Sequence, residues 1–175
     1  MGKTTYKDEV YPIQNTNLIA SGTFTEQTQI TISNIPQSFN TLRLVVMPTA
    51  TSGTNRSLAF WWNDNEGNNY AFTIAPTDST YSVNNGRGPY GAYIRAGIFE
   101  TNTTSQMVIE IPNYATPGVI KTCSILSGNT NTDYQGSRFT VGTQVTITNP
   151  ITSLNFGTDS YGYYMNGSYA LYGVK

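Results

Sequence analysis

The sequence predicts an all-β fold, an antiparallel β-sandwich of the jelly-roll type with an extended N-terminal arm. Three observations lead there. Charged residues make up only 11% of the 175-residue chain, and the polar remainder is mostly Thr, Ser, Asn and Gly rather than the Lys and Glu that build helices. Short stretches of period-two alternation recur between turn-forming clusters, as in half-buried sheets. No segment carries an apolar stripe at helical spacing.

Taken in order, the opening "MGKTTYKDEVYPIQNTN" is polar and has no apolar periodicity, so residues 1–16 read as an arm and residues 17–175 as one sandwich domain. In "TQITISNIP", Ile30 and Ile32 point one way; in "TLRLVVMP", Leu42, Leu44 and Val46 do the same. The alternation continues through "SLAFWWN", "NYAFTIAP" and "GAYIRAGIF", then "SQMVIEIP" with Met107, Ile109 and Ile111. It returns in "VIKTCSIL", in "TQVTITNP" with Val145 and Ile147, in "TSLNFG" with Leu154 and Phe156, and in "SYALYGV". That is a set of about ten strands. Turns fall at "NDNEGNN" (63–69), "NNGRGPYG" (84–91) and "GNTNTDYQG" (128–136). Many short strands without helices bury their apolar faces in two stacked sheets. The similar "TQITISN" and "TQVTITN" read as two strands with the same job, since nothing flanking them aligns.

Composition narrows the chemistry. Nine basic and ten acidic residues are scattered singly, for a net charge of −1. Binding to a phosphate backbone or a membrane surface needs clustered Lys and Arg, so neither partner is expected. The single cysteine, Cys123, rules out an intrachain disulfide and suits a reducing compartment. No apolar run approaches the roughly 20 residues of a membrane span, and the opening lacks the apolar centre of a signal peptide. Synthesis in a cytoplasm is the expectation.

The chain has no histidine, which removes serine triads and histidine zinc sites. Gly2-Lys3-Thr4 is only the tail of a phosphate-binding loop, with neither a strand before it nor a helix after it. Cys123 sits in an alternating strand, where a buried structural thiol is expected. Asp64 and Glu66 form the one close acidic pair outside the arm, in a turn that reads as a solvated hairpin and misses the spacing of a calcium loop. Glu110 falls opposite Ile109 and Ile111 and is expected to be exposed. The Asn-X-Ser/Thr triplets at Asn55, Asn102 and Asn166 mean little without a secretory route. No catalytic residue, metal or cofactor is expected.

Aromatic residues are the remaining resource, with thirteen Tyr, seven Phe and two Trp. Trp61 and Trp62 are adjacent in a strand, so one is expected in the core and the other facing out or into an interface. "DSYGYYMNGSY" offers a recognition loop with Tyr161, Tyr163, Tyr164 and Asn166, whose rings could stack on sugar or on protein. A plain edge-capping role for these rings is the competing reading. The arm is read as lying across a neighbouring subunit. Its contacts would be Tyr6, Tyr11, Pro12 and Ile13 as anchors, with Lys3 and Lys7 among the rim charges. The alternative is an arm folded along its own sheet edge.

The stretch "LIASGTFTEQTQITISNIPQSFNTLRLVV", with Ile35, Pro36, Phe39, Leu42 and Arg43, resembles small phage virion proteins described as head decoration, head fibre or tail proteins. The likeness continues through "NNYAF" (68–72) and "IEIPNYA" (109–115) to the closing "YALYGVK" (169–175), leaving out only the arm. The resemblance implies a β-sandwich virion component without catalysis. The expectation is therefore a structural protein on the capsid exterior, a decoration or cement protein that binds the assembled shell. Its partners would be the major capsid protein and neighbouring copies of itself, as a homo-oligomer with a trimer favoured. The alternative is a tail or head-fibre adhesin module that binds host surface glycan.

Overall fold

The computed structural model describes residues 16–52, 56–64, 69–76, 92–101, 103, 105–129, 136–144, 148–159 and 163–175. Among them there are eleven strands and no helix. In chain order these are β1 (Thr16–Gln27), β2 (Gln29–Ile32), β3 (Thr41–Ala50), β4 (Arg56–Trp62), β5 (Tyr70–Pro76) and β6 (Ile94–Phe99), followed by β7 (Ser105–Pro112), β8 (Thr122–Asn129), β9 (Gly136–Gln144), β10 (Leu154–Thr158) and β11 (Met165–Val174). Seven form one sheet in the order β1-β11-β3-β7-β8-β9-β5, and four form the other in the order β2-β10-β4-β6. Neighbouring strands are antiparallel in both sheets. The two sheets pack as a sandwich.

Alternation does what it predicts in the centre of the large sheet. Leu42, Leu44 and Val46 of β3 and Met107, Ile109 and Ile111 of β7 are fully buried, in register with one another. From the small sheet, Ile32, Leu58, Phe60, Trp62, Ile94, Leu154 and Phe156 meet them in the same core, with Ile30 half-buried against it. The long connections are tied by backbone bonds at one end. Asn40 N–H donates to Val174 O at 2.9 Å, Asn113 N–H to Asn40 O at 2.8 Å, and Ile151 N–H to Tyr114 O at 2.9 Å.

β1 and β9 depart from the alternation that the sequence predicts. β1 is a sheet edge with register shifts between Leu18 and Ala20 and between Phe24 and Gln27, so its faces change over along its length. In β9 the usual polarity is inverted: Thr140, Gly142 and Gln144 are buried, while Phe139 and Val141 face solvent. The strand expected around Val145 and Ile147 is represented by its first two residues, Thr143 and Gln144, which end β9; Val145 and Ile147 lie outside the described residues.

Trp61 and Trp62 correct a second expectation, because both are buried, at 7% and 0% exposure. β4 is closed on both faces: Leu58, Phe60 and Trp62 enter the core, and Ala59 and Trp61 are buried on the other side. Trp62 sits edge-on to Tyr70, with ring centroids 5.2 Å apart. The Tyr70 hydroxyl donates to Trp62 O at 3.1 Å and accepts from Trp62 N–H at 3.2 Å, while the Trp62 indole N–H donates to Gln144 Oε1.

The sheets approach most closely through β6. A Cβ on Gly97 would fall 2.6 Å from Ser127 Cβ, and one on Gly142 would fall 2.6 Å from Ile94 Cδ1. Gly142→Ala should therefore destabilise the protein by about 1–3 kcal/mol in urea unfolding, the range for overpacking a filled core. Adding Ile94→Val should recover part of the loss, because the far end of that side chain is what the new methyl meets.

Candidate recognition surface

The end of the sandwich where β3 finishes and β11 begins carries the described part of the aromatic segment picked out in the sequence. The Tyr164 carbonyl accepts from Thr51 N–H at 3.1 Å and from the Thr51 hydroxyl at 3.2 Å. The Tyr163 carbonyl accepts from the Thr158 hydroxyl at 3.2 Å. With the backbone held on both sides, the Tyr164 ring projects into solvent at 48% exposure. The Tyr163 ring lies under the Arg56 guanidinium, whose central carbon is 3.3 Å from the ring centroid. Stacking of this kind fixes the cation against the ring. The Nε of Arg56 is buried and has no acceptor among the described residues.

Asn166 has a different job. Its side-chain oxygen accepts from Glu26 N–H at 2.8 Å, holding the irregular end of β1, where Glu26 has φ 49. Tyr161 lies outside the described residues, as do Lys3, Tyr6, Lys7, Tyr11, Pro12 and Ile13 of the arm. Of the sequence-derived recognition residues, the structure thus brings Tyr163 and Tyr164 to one end beside Arg56. The contribution of Arg56 is a tertiary effect, since it lies more than a hundred positions before Tyr163.

The small sheet's outer face carries a polar cluster that alternation did not reveal. Asn155 is fully buried; its oxygen accepts from the Thr31 hydroxyl at 2.7 Å, and its nitrogen donates to Asp64 Oδ1 at 3.1 Å. Asp64 therefore serves a neighbouring strand. The preceding residue, Asn63, accepts from Thr152 N–H at 2.8 Å and donates to Pro150 O at 2.9 Å, which fixes the turn. Glu66 lies outside the described residues. The Trp61 indole N–H, in register beside Asn155, is buried without an acceptor among the described residues.

Cys123 and Lys121 are both taken out of water. Cys123 is buried, as expected for a structural thiol, and burial pushes its thiol up to about 12, so it stays protonated where a nucleophile would need the thiolate. Lys121 is fully buried, and its ammonium donates to the carbonyls of Thr116 and Val119. Burial lowers its pKa from the usual 10.5. Glu110, half-exposed on the outer face of β7, is paired with Arg43 at 2.6 Å. Among the described residues there is no group of three or more Cys, Asp or Glu placed to hold a metal, and no helix is long and apolar enough to cross a membrane.

The buried pair gives opposite alkaline responses. Below the folded pKa of Lys121 both states carry its charge and its burial cost is felt in full. As pH rises from there to 10.5 the folded state sheds the proton first, so stability rises. The Cys123 thiol ionises first in the unfolded chain, above 9.0, so its contribution is lost from there toward about 12. Denaturant unfolding across alkaline pH should therefore show Lys121→Met falling behind the parent as pH rises, and Cys123→Ala gaining on it. Parallel profiles for all three proteins would refute both assignments.

No protein-family model, curated protein or solved structure matches this chain.

Proposed function

We propose that this protein is a non-enzymatic structural component of a phage virion, a decoration protein that binds the outside of the assembled capsid and stabilises it. Its partners are the major capsid protein and neighbouring copies of itself, and it is made in the host cytoplasm. A ligand that binds only the assembled state stabilises that state by mass action, which is how such a protein would act on a shell under internal pressure. The proposal includes jelly-roll connectivity and an arm that reaches over a subunit boundary.

The observation that carries this reading is the aromatic end of the sandwich. Tyr164 is presented on a pinned backbone beside the stacked Arg56 and Tyr163. Tyr and Arg are the residues that supply most binding energy at protein interfaces, and a preorganised ring loses little entropy on docking. The likeness to virion proteins adds support of a different kind. Its quoted residues form the frame: Leu42, Ile109, Ile111 and Leu171 are core, Pro36 O accepts from the Tyr114 hydroxyl, and Phe39 packs against Gly173. A pattern that specifies the frame fits proteins sharing this sandwich while presenting different surfaces.

A second reading, an adhesin module of the tail or a head fibre, is favoured by the same exposed Tyr164 ring, whose face could stack on a sugar of host surface glycan. Binding to empty expanded shells and to a panel of bacterial surface glycans separates the two. Under the decoration reading Tyr164→Ala weakens shell binding by about 2 kcal/mol, roughly 30-fold, without changing the unfolding midpoint. Removing residues 1–15, which precede β1, leaves a folded protein that binds shells weakly. Glycan binding with no affinity for shells would transfer the site to the adhesin reading.

A further inference from the structure

One row of the outer face of the seven-stranded sheet is apolar where a monomer's would be polar. Strand pairing lays Ser21, Ala170, Val45, Val108, Leu126 and Phe139 side by side in one row across β1, β11, β3, β7, β8 and β9. None is charged, and Leu126 and Phe139 are 55% and 44% exposed. The row is graded, with the smallest side chains at the β1 side and the largest at the β9 side. The next row on the same face runs from Leu18 through Tyr172, Arg43, Glu110 and Ser124 to Val141.

We propose that this face is an isologous interface, on which a second copy of the chain packs face to face about a two-fold axis running along the strands between β3 and β7. The occupant follows from what that axis does to each row. In the first row it sets Val45 over the other copy's Val108, Leu126 over Ala170, and Phe139 over Ser21, so every large side chain meets a small one. In the second it sets Leu18 over Val141, both exposed and apolar, and Tyr172 over Ser124. At the centre it sets Arg43 over Glu110 in both directions. These are the only charged side chains on this face among the described residues of β3, β7, β8, β9 and β11, and they already form an ion pair within one chain. The axis turns that pair into a four-membered network of alternating sign. A partner of unrelated sequence would need matching size and charge gradients of its own; a second copy has them by symmetry.

The dimensions agree. The axis overlaps six of the seven strands and leaves β5 outside; at about 4.8 Å spacing and about six residues of backbone rise they make a face of roughly 24 by 20 Å, or about 500 Å² in projection, of the same order as the roughly 800 Å² of accessible surface each partner gives to a standard interface. Aligned sheets stack at about 10 Å, which accommodates one layer of interleaved side chains. This contact does not depend on the virion reading, and it leaves the aromatic end free.

Sedimentation velocity on the full chain, over a range of concentrations, tests it. The parent protein should sediment as a dimer. Leu126→Asp should weaken dimerisation by at least about a hundredfold, while its unfolding midpoint, read at a concentration where both proteins are monomeric, stays within about a degree or two of the parent's, because the residue is exposed in the single chain. Ala170→Leu should also weaken the dimer by placing two leucines where one fits, and Leu126→Ala in the same chain should restore it. Ala170 and Leu126 stand three strands apart in one chain, so that rescue can come only through a contact between copies. A parent that stays monomeric, a trimer, a dimer indifferent to Leu126→Asp, or a size swap that fails to rescue would each overturn the proposal.

Discussion

The closeness with which β6 is pressed onto the large sheet sets the geometry of the molecule. At Gly97 and Gly142 there is no room for even one methyl between the sheets. Everything behind these contacts is full: Ile94, Met107 and Ser127 fill what the glycines leave. Protein interiors are close-packed, so a separation fixed at two points is transmitted along both sheets. It decides which side chains of β7, β8 and β9 lie inside, and therefore which are left on the outer face.

That constraint explains the inverted polarity of β9. Opposite β6 its inward positions are confined to small or hydrogen-bonded residues, namely Thr140, Gly142 and Gln144. The apolar residues of the strand, Phe139 and Val141, are consequently outside. They extend a surface already apolar at Val45, Val108 and Leu126, and a row of this kind on a sheet face calls for a cover. A four-stranded sheet covers one face of the seven-stranded one.

Polar groups are buried here as connectors. Lys121 closes the turn from Thr116 to Val119 through two carbonyls, Asn155 ties β10 to β2 and to the turn at Asp64, and Tyr70 braces Trp62. Each hydrogen bond contributes modestly in net terms, but each buried group would be costly without it. The buried Lys121 and Cys123 are held toward their neutral forms, which suits structural service better than proton transfer. At the end of the sandwich the exposed Tyr164 ring stands next to Tyr163, on which Arg56 is stacked.

The sequence by itself determined the all-β class, the turn at Asn63 and Asp64, the burial of Cys123, and the core faces of β3 and β7. In each case the determinant is local: a period of two puts Leu42, Leu44 and Val46 on one side whatever lies beyond. It also marked Tyr163 and Tyr164 as aromatic surface material. The tertiary structure decided the rest. β1 was illegible because bulges interrupt its period, and β9 because its apolar residues face outward. Trp61 is buried beside Asn155, although alternation sent one of the two tryptophans outward, because β4 is covered on both faces. Arg56 reaches the aromatic end, and six separate strands line up in a graded row, only through pairings between positions far apart in the chain. Local pattern fixes which face a side chain takes on its own strand, whereas its neighbours across strands depend on sheet order and register, and those are set by the packing of the whole.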